Sequence, residues 1–274
     1  MSIKTSVPLI LAFILLKHAA FGDAVDVPST SNPWLAGMPD GSTARRGDVA
    51  PDESPVLVTG VSIEDGATFI FSATGSVSRG SPLPFFGPDG ETNSISHYLG
   101  AENGIADVTA PFECLVGVFL GTNEPDINPT PQPLDFSTAT NQDYLILTPA
   151  LQQPFFIGDG LTSFGTVQQV IAPSGATRLF LGTIDEYSWY NNEGSFTVQV
   201  VQVPQLSITT INAATVQLSW PASSGSFAVQ QNPDLTTTNW MTLTNTPIPV
   251  SGEYQVSLPS SATNMFYRLV FQSF

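Results

Sequence analysis

Oxygen-bearing side chains gather in one short segment between two strand-like runs. Asp185 follows the first run, and Asn191 and Asn192 come just before the second. Calcium takes about six to eight oxygen ligands from carboxylates, amide side chains, backbone carbonyls and water. A loop this short can aim all three side chains at one point. Asp and Asn are also favoured in turns for geometric reasons, so spacing alone leaves a structural turn as the alternative.

The chain offers little for catalysis. Its Asp and Glu residues form no recognisable pair of the kind that glycosidases use, and it contains no Gly-x-Ser-x-Gly elbow. Beyond residue 22 the one histidine is His97, and the one cysteine is Cys114, so zinc lacks its usual ligands. We therefore predict that the protein is not an enzyme. Cys114 lies in an apolar run and is predicted to be a buried free thiol.

The first 22 residues have the pattern of an export signal peptide. Lys4 precedes an apolar run that ends at Leu16, and small residues at Ala20 and Gly22 suit cleavage after Gly22. This run is too short to span a bilayer. We therefore expect a secreted product, extracellular or periplasmic, without membrane insertion. Cleavage leaves five Arg against 23 Asp and Glu, a net charge of about −18, which argues against nucleic acid and anionic membranes as partners.

Short runs rich in Val, Ile, Phe, Leu and Thr, bounded by turn residues, recur along the chain and indicate strands. Sustained helical periodicity is missing from the sequence. Clear examples cover residues 67–73, 114–120, 144–148, 177–184 and 195–203. The predicted fold class is therefore all-β, most simply a β-sandwich over residues 51–203. Residues 23–50 carry several turn signals and few β-branched residues, and are predicted to be an extended lead-in.

Pro204 follows the last long strand pattern and marks a predicted boundary to a second domain, residues 204–274. Several short runs in this tail alternate apolar and polar positions. Leu218-Ser-Trp220 early and Phe266-Tyr-Arg-Leu269 late resemble a fibronectin type III or related immunoglobulin-like module, which implies a small C-terminal immunoglobulin-like β-sandwich. Trp220 and Tyr267 lie inside strand patterns, so we expect them in a core rather than on a sugar-binding surface.

Three motifs follow one another between residues 55 and 202. They are Gly87-Pro-Asp-Gly90, then Ala110-Pro-Phe-Glu-Cys-Leu-Val-Gly-Val118, then Asp185 with Asn191-Asn-Glu-Gly-Ser-Phe-Thr-Val198. This order resembles the calcium-dependent galactose-binding lectins of bacteria, and the final Asn-Asn-x-Gly-Ser-Phe-x-Val is its most specific part. The resemblance implies a galactose-binding-lectin-like β-sandwich. It also implies that Ca²⁺ is bound by the side chains of Asp185, Asn191 and Asn192 and by the carbonyls of Trp189 and Arg79, and that a galactose-type glycan binds the ion directly.

The chain departs from those lectins in two places around this loop. The segment from Asp185 to Asn191 is one residue shorter, so the ligand geometry is expected to differ. The family holds the sugar with a His and a Gln, and the longer region here, residues 91–107, offers His97 and Asn103 instead. Tyr187, Trp189 and Tyr190 are candidates to cover the apolar side of a sugar ring, with packing of one or two of them onto the sandwich as the alternative.

An insertion at residues 121–148 is predicted to rim the site or to contact a second subunit. Lectins of this type are usually multivalent through assembly, and a homo-oligomer, which would compensate for weak single sites, stays open here. The sequence thus predicts a secreted, calcium-dependent carbohydrate-binding protein. The alternative is an extracellular structural or adhesion protein that has a lectin-like fold and no longer binds sugar, because fold does not establish function.

Overall fold

The computed structural model describes residues 24–92, 94–97, 100–222, 226–260 and 264–272, with the backbone alone at residues 94–96. The signal peptide predicted for residues 1–22 lies outside these ranges. The described chain is almost entirely strands and loops, which confirms the predicted all-β class. Its helical segments are the short α-helix α1 (Ala139–Gln142) and 3₁₀ turns at Pro33–Leu35, Pro125–Ile127 and Trp189–Asn191. Within the described ranges, every helix falls short of the length and apolarity that crossing a bilayer requires.

The first domain is a sandwich of short strands connected by long loops. In chain order its strands are β1 (Val25–Pro28), β2 (Val56–Leu57), β3 (Thr68–Ser78), β4 (Ser94–Ser96), β5 (Val108–Pro111), β6 (Leu115–Leu120), β7 (Leu134–Asp135), β8 (Ile146–Leu147), β9 (Phe155–Phe156), β10 (Gln169–Ile171), β11 (Arg178–Thr183) and β12 (Glu193–Val203).

Two sheets of this domain enclose one apolar core. Their strand orders are β1-β12-β3-β10-β8 and β2-β11-β6-β9, and a small third sheet has the order β4-β5-β7. The long strands β3 and β12 pair antiparallel over their whole length. Their side chains alternate between faces, so Phe69, Phe71 and Phe196 enter the core while Ile70 and Val201 face the other way.

The segment predicted as a lead-in is an integral part of this sandwich. β1 pairs with β12, with Val25 opposite Val198. Trp34 is fully buried in the core, and its Nε1 donates to the carbonyl of Ala106 at 3.1 Å. Turns do follow β1, and the buried Trp34 lies among them. The first domain therefore includes residues 24–50, which the sequence interpretation placed outside it.

The second domain is a smaller pair of sheets. Its strands are β13 (Ser207–Asn212), β14 (Thr215–Pro221), β15 (Phe227–Asn232), β16 (Met241–Thr242), β17 (Ile248–Val250), β18 (Glu253–Pro259) and β19 (Phe266–Phe271). One sheet has the order β13-β14-β18-β17, which matches the A-B-E-D order of immunoglobulin-type sandwiches. The other has the order β16-β15-β19. Trp220 is buried in the core between them, and Tyr267 packs against that core.

An apolar cluster joins the two domains. Ile70 and Val201, on the outward face of the first domain, pack with Phe227 of the second, and Leu269 and Phe271 lie against them. β12 ends at Val203 and β13 begins at Ser207, so the boundary predicted at Pro204 falls in the connecting segment. Burial of this cluster removes apolar surface of both domains from water, which favours their association.

Candidate functional site

The loop between β11 and β12 is held in place by its own tryptophan. The Trp189 side chain is buried, and its Nε1 donates to the Thr183 carbonyl at 3.0 Å. Ser188 has a positive φ of 69°, and a 3₁₀ turn follows it, in which the Asn192 amide donates to the Trp189 carbonyl at 3.0 Å. The Trp189 side chain, a candidate to cover a sugar ring, is therefore packed inside the protein, where it anchors the loop that carries the predicted ligands.

Asp185 and Asn192 lie side by side at the base of this loop. Asp185 is buried, and its Oδ1 accepts a hydrogen bond from the Glu186 amide at 2.6 Å. Burial raises the pKa of Asp185 to about 6, although the Glu186 amide, the nearby Asn192 side chain and the Arg79 charge act to lower it. The surroundings thus disfavour the charged form of this carboxyl relative to water.

The side-chain oxygen of Asn192 accepts no hydrogen bond within the protein. Its Nδ2 donates to the Ser29 carbonyl at 3.2 Å, whereas Oδ1 is buried and has no hydrogen-bond partner. Buried polar atoms are nearly always paired. The unpaired Oδ1 is therefore a position at which a bound cation or water is expected.

The backbone after β3 forms the other side of the site. A Cβ added at Gly80 would lie 3.0 Å from the Asn191 carbonyl oxygen, so residues 79–80 contact the 3₁₀ turn. The loop that carries Asp185, Asn191 and Asn192 thus contacts the backbone that follows Arg79. The carbonyl of Trp189 is in the same loop, where it already accepts the Asn192 amide. These are the five residues that the lectin resemblance assigns to calcium.

Glu113 lies next to this group and was not singled out from the sequence. It is 2% exposed, and its amide donates to the Ile184 carbonyl at 2.6 Å, one residue before Asp185. Its Oε1 accepts a hydrogen bond from the Arg79 amide, and its Oε2 has no partner. Burial raises the pKa of Glu113 to about 7, and the charges of Glu91 and Asp185 add to the increase.

The sequence contains one signal that could have identified Glu113. It is a lone acidic residue at the edge of an apolar run, between Phe112 and Cys114, and such a residue is rarely buried unless it is paired. Cys114 itself is fully buried as a free thiol, as predicted.

The Arg79 side chain extends along this edge of the site. Its Nη2 lies 2.8 Å from Glu91 Oε2, its Nε lies 3.8 Å from Glu113 Oε1, and its guanidinium carbon lies 3.8 Å from the centre of the Phe112 ring. This cation partly compensates two carboxylates. The Arg79 side chain donates no hydrogen bond to Glu113 Oε2.

Asp48 connects the N-terminal segment to the site. It is fully buried; its Oδ1 accepts from the Tyr190 amide at 3.2 Å and its Oδ2 from Asn32 Nδ2 at 3.0 Å. Burial raises the pKa of Asp48, opposed by these hydrogen bonds. The segment that the sequence indicated as a lead-in therefore helps to fix the loop that carries the candidate ligands.

His97 and Asn103, the candidates for holding a sugar, are used inside the protein. His97 is 2% exposed and stacks on Trp34 with ring centroids 3.5 Å apart, and its Nδ1 lies 2.7 Å from the Gly100 carbonyl oxygen. Burial lowers its pKa to about 4. Asn103 Nδ2 donates to the carbonyls of Trp34 and Thr43. The interpretation of this pair as direct sugar contacts is therefore not supported by their positions.

The two tyrosines of the loop are at the surface. Tyr187 is 39% exposed and Tyr190 is 57% exposed. The Arg46 guanidinium lies over the Tyr187 ring at 4.8 Å from its centroid, which covers one of the ring faces. The Tyr190 ring is the more accessible of the two for stacking against a sugar.

A cleft at the junction of the two domains lies apart from this loop. Its volume is about 680 Å³, and it is lined by residues around 60–68 and 201–205 at the junction of the domains. None of the candidate ligands borders it.

The donor set fits a hard cation such as calcium. It consists of carboxylate and amide oxygens with loop carbonyls nearby, which is the chemistry that calcium prefers. Within the described residues, no three His, Cys, Asp or Glu side chains form a metal-binding group, so amide and carbonyl oxygens would have to complete the coordination. The sequence matches no protein-family model and no curated protein.

Proposed function

We propose that the protein is a secreted, non-catalytic carbohydrate-binding protein that depends on calcium. The observation that carries the proposal is the buried Asn192 Oδ1 atom, which has no hydrogen-bond partner and lies in the same loop as Asp185. Leaving a buried acceptor unpaired costs about 1–3 kcal/mol. Coordination to calcium would offset this cost, because amide and carboxylate oxygens are its ordinary ligands.

The surroundings of the loop support a saccharide as the ligand. When bound, calcium can exchange coordinated water for two adjacent sugar hydroxyls. Tyr190 presents an exposed aromatic ring on the same loop, and such rings cover the apolar face of a sugar. Galactose-type glycans are proposed from the lectin resemblance, and secretion is proposed from residues 1–22.

A glycan array probed with and without a chelator tests the proposal. We expect binding of galactose-terminated glycans in calcium and none in chelator. The Asp185→Asn variant should lose binding, because it removes the carboxylate of the site. Asp126→Asn, which changes an exposed loop carboxylate, is the matched control and should bind as the wild type does. Binding that persists in chelator, or in Asp185→Asn, would contradict calcium dependence.

A structural or adhesive role without sugar binding is the second candidate. The internal positions of His97 and Asn103 favour it, since they remove two contacts that the resemblance suggested for the sugar. A thermal melt with added calcium, combined with the glycan array, distinguishes the two functions. Calcium that binds the folded state raises the melting temperature by mass action. A calcium-dependent rise together with an array that shows no bound glycan would favour the structural role.

A further inference from the structure

Glu113 is placed so that only one of its carboxylate oxygens is held by the protein. The residue has a positive φ of 63°, which is uncommon for a side chain of this size. Its amide donates to the Ile184 carbonyl, so it lies across from the residue that precedes Asp185. The Arg79 amide donates to Oε1, and Oε2 remains buried with no hydrogen-bond partner.

We propose that Glu113 Oε2 is a second carboxylate ligand of the divalent cation held by Asp185 and Asn192. This inference rests on the cation site of the proposed function, and it adds a ligand that the lectin resemblance does not assign. Glu113 and Asp185 are close enough to repel each other electrostatically. The β5–β6 and β11–β12 connections thus each contribute a buried oxygen without a hydrogen-bond donor, Glu113 Oε2 and Asn192 Oδ1.

Charge explains what the second carboxylate would add. Asp185 alone supplies one negative charge to a doubly charged ion, and Glu113 supplies another. The number of charged ligands is one of the features that set calcium affinity. Arg79 offsets only part of this contribution, because its guanidinium lies 2.8 Å from Glu91 and 3.8 Å from Glu113 Oε1.

Calorimetric titration of the metal-stripped full-length protein with calcium chloride tests the role of Glu113. The Glu113→Gln variant keeps the size of the side chain and removes its charge, and we expect the calcium dissociation constant to increase by about tenfold or more. Glu102→Gln is the matched control. Glu102 is also largely buried, its Oε1 also accepts a backbone amide, and its Oε2 also lacks a hydrogen-bond partner, but its contacts are the Arg45 amide and His97 instead of the Arg79 amide. Its dissociation constant should stay within about twofold of the wild-type value.

The outcomes separate this inference from the proposed function. If wild type binds calcium, Asp185→Asn does not, and Glu113→Gln binds as tightly as wild type, the role of Glu113 is overturned and the cation site stands. If wild type takes up no calcium, both are overturned. A crystal structure of the calcium-loaded wild type decides the question even if Glu113→Gln fails to fold. We expect Glu113 Oε2 at about 2.3–2.6 Å from the ion, and an Oε2 that points away from the ion would overturn the inference.

Discussion

Carboxylates withdrawn from water dominate the chemistry of this protein at the scale of single residues. Glu113 and Asp185 are both buried at the end of the same pair of strands. Burial raises the pKa of each, and the Asp185 charge raises that of Glu113 further. An isolated buried carboxylate is costly and tends to take up a proton or a cation. At neutral pH these two groups therefore link protonation, cation binding and stability.

The metal-free protein should lose stability as the pH rises toward neutrality. The pKa of Glu113 is about 7 in the folded state against 4.5 ordinarily, so the folded state binds more protons than the unfolded state between these values. The free energy of unfolding must then decrease as the pH rises through this window. Asp185, with a folded pKa of about 6, acts in the same direction.

Urea unfolding in chelator at about pH 5 and about pH 7.5 measures this effect. Glu113→Gln should reduce the decrease by an amount on the order of 2 kcal/mol, because about 1.4 kcal/mol corresponds to each pKa unit. Glu124→Gln, at an exposed position, should leave the decrease unchanged. An identical pH dependence in wild type and Glu113→Gln would mean that Glu113 has an ordinary pKa.

Residue types indicated part of the site, and backbone conformation determined the rest. Asp185, Asn191 and Asn192 could be selected because their spacing placed them in one loop. Glu113 could not be placed from the sequence, because its position depends on a positive φ and on pairing with a strand distant in sequence. His97 was misjudged for a related reason: its burial comes from Trp34, far away along the chain.

At the scale of elements, the alternation of apolar residues was sufficient to locate most long strands. The runs at 114–120 and 177–184 correspond to β6 and β11, and the run at 195–203 lies within β12. β1 was missed, because a strand of four residues with Pro28 at its end has too little pattern to distinguish it from a turn-rich segment. Only the pairing with β12 makes it a strand.

The turn Gly87-Pro-Asp-Gly90 offers a test of how one element positions the site. Gly90 has a positive φ of 77°, and a Cβ there would lie 2.3 Å from the Phe112 carbonyl oxygen and 2.7 Å from the Cys114 amide nitrogen. Both atoms are backbone neighbours of Glu113. Gly90→Ala should therefore destabilise the protein by about 3 kcal/mol or more, through strain and displaced backbone, and should weaken calcium binding.

Gly87→Ala is the control at the other end of the same turn. A Cβ at Gly87 would meet no atom within 4 Å, so we expect a change within about 0.5 kcal/mol. Urea unfolding of both variants measures the difference. Equal stabilities for the two variants would show that the Gly90 turn tolerates a side chain.

At the scale of the whole molecule, the apolar cluster around Phe227 couples the two domains. Phe227 packs on Ile70 and Val201 and makes an edge contact with Phe271 at 5.4 Å. Phe227→Ala should lower the free energy of unfolding by about 3 kcal/mol. It should also divide a single calorimetric unfolding transition into two. Phe164→Ala, at a highly exposed position, should melt as the wild type does. An unchanged thermogram for Phe227→Ala would show that this cluster does not couple the domains.

The pairing of β1 with β12 also constrains how the protein can acquire its fold. The first strand of the described chain completes a sheet whose partner strand ends the first domain, so nearly the whole domain must be synthesised before that edge can close. Contacts so distant in sequence form slowly. The position of one short strand thus makes closure of this sheet a late event, after nearly all of the first domain has left the ribosome.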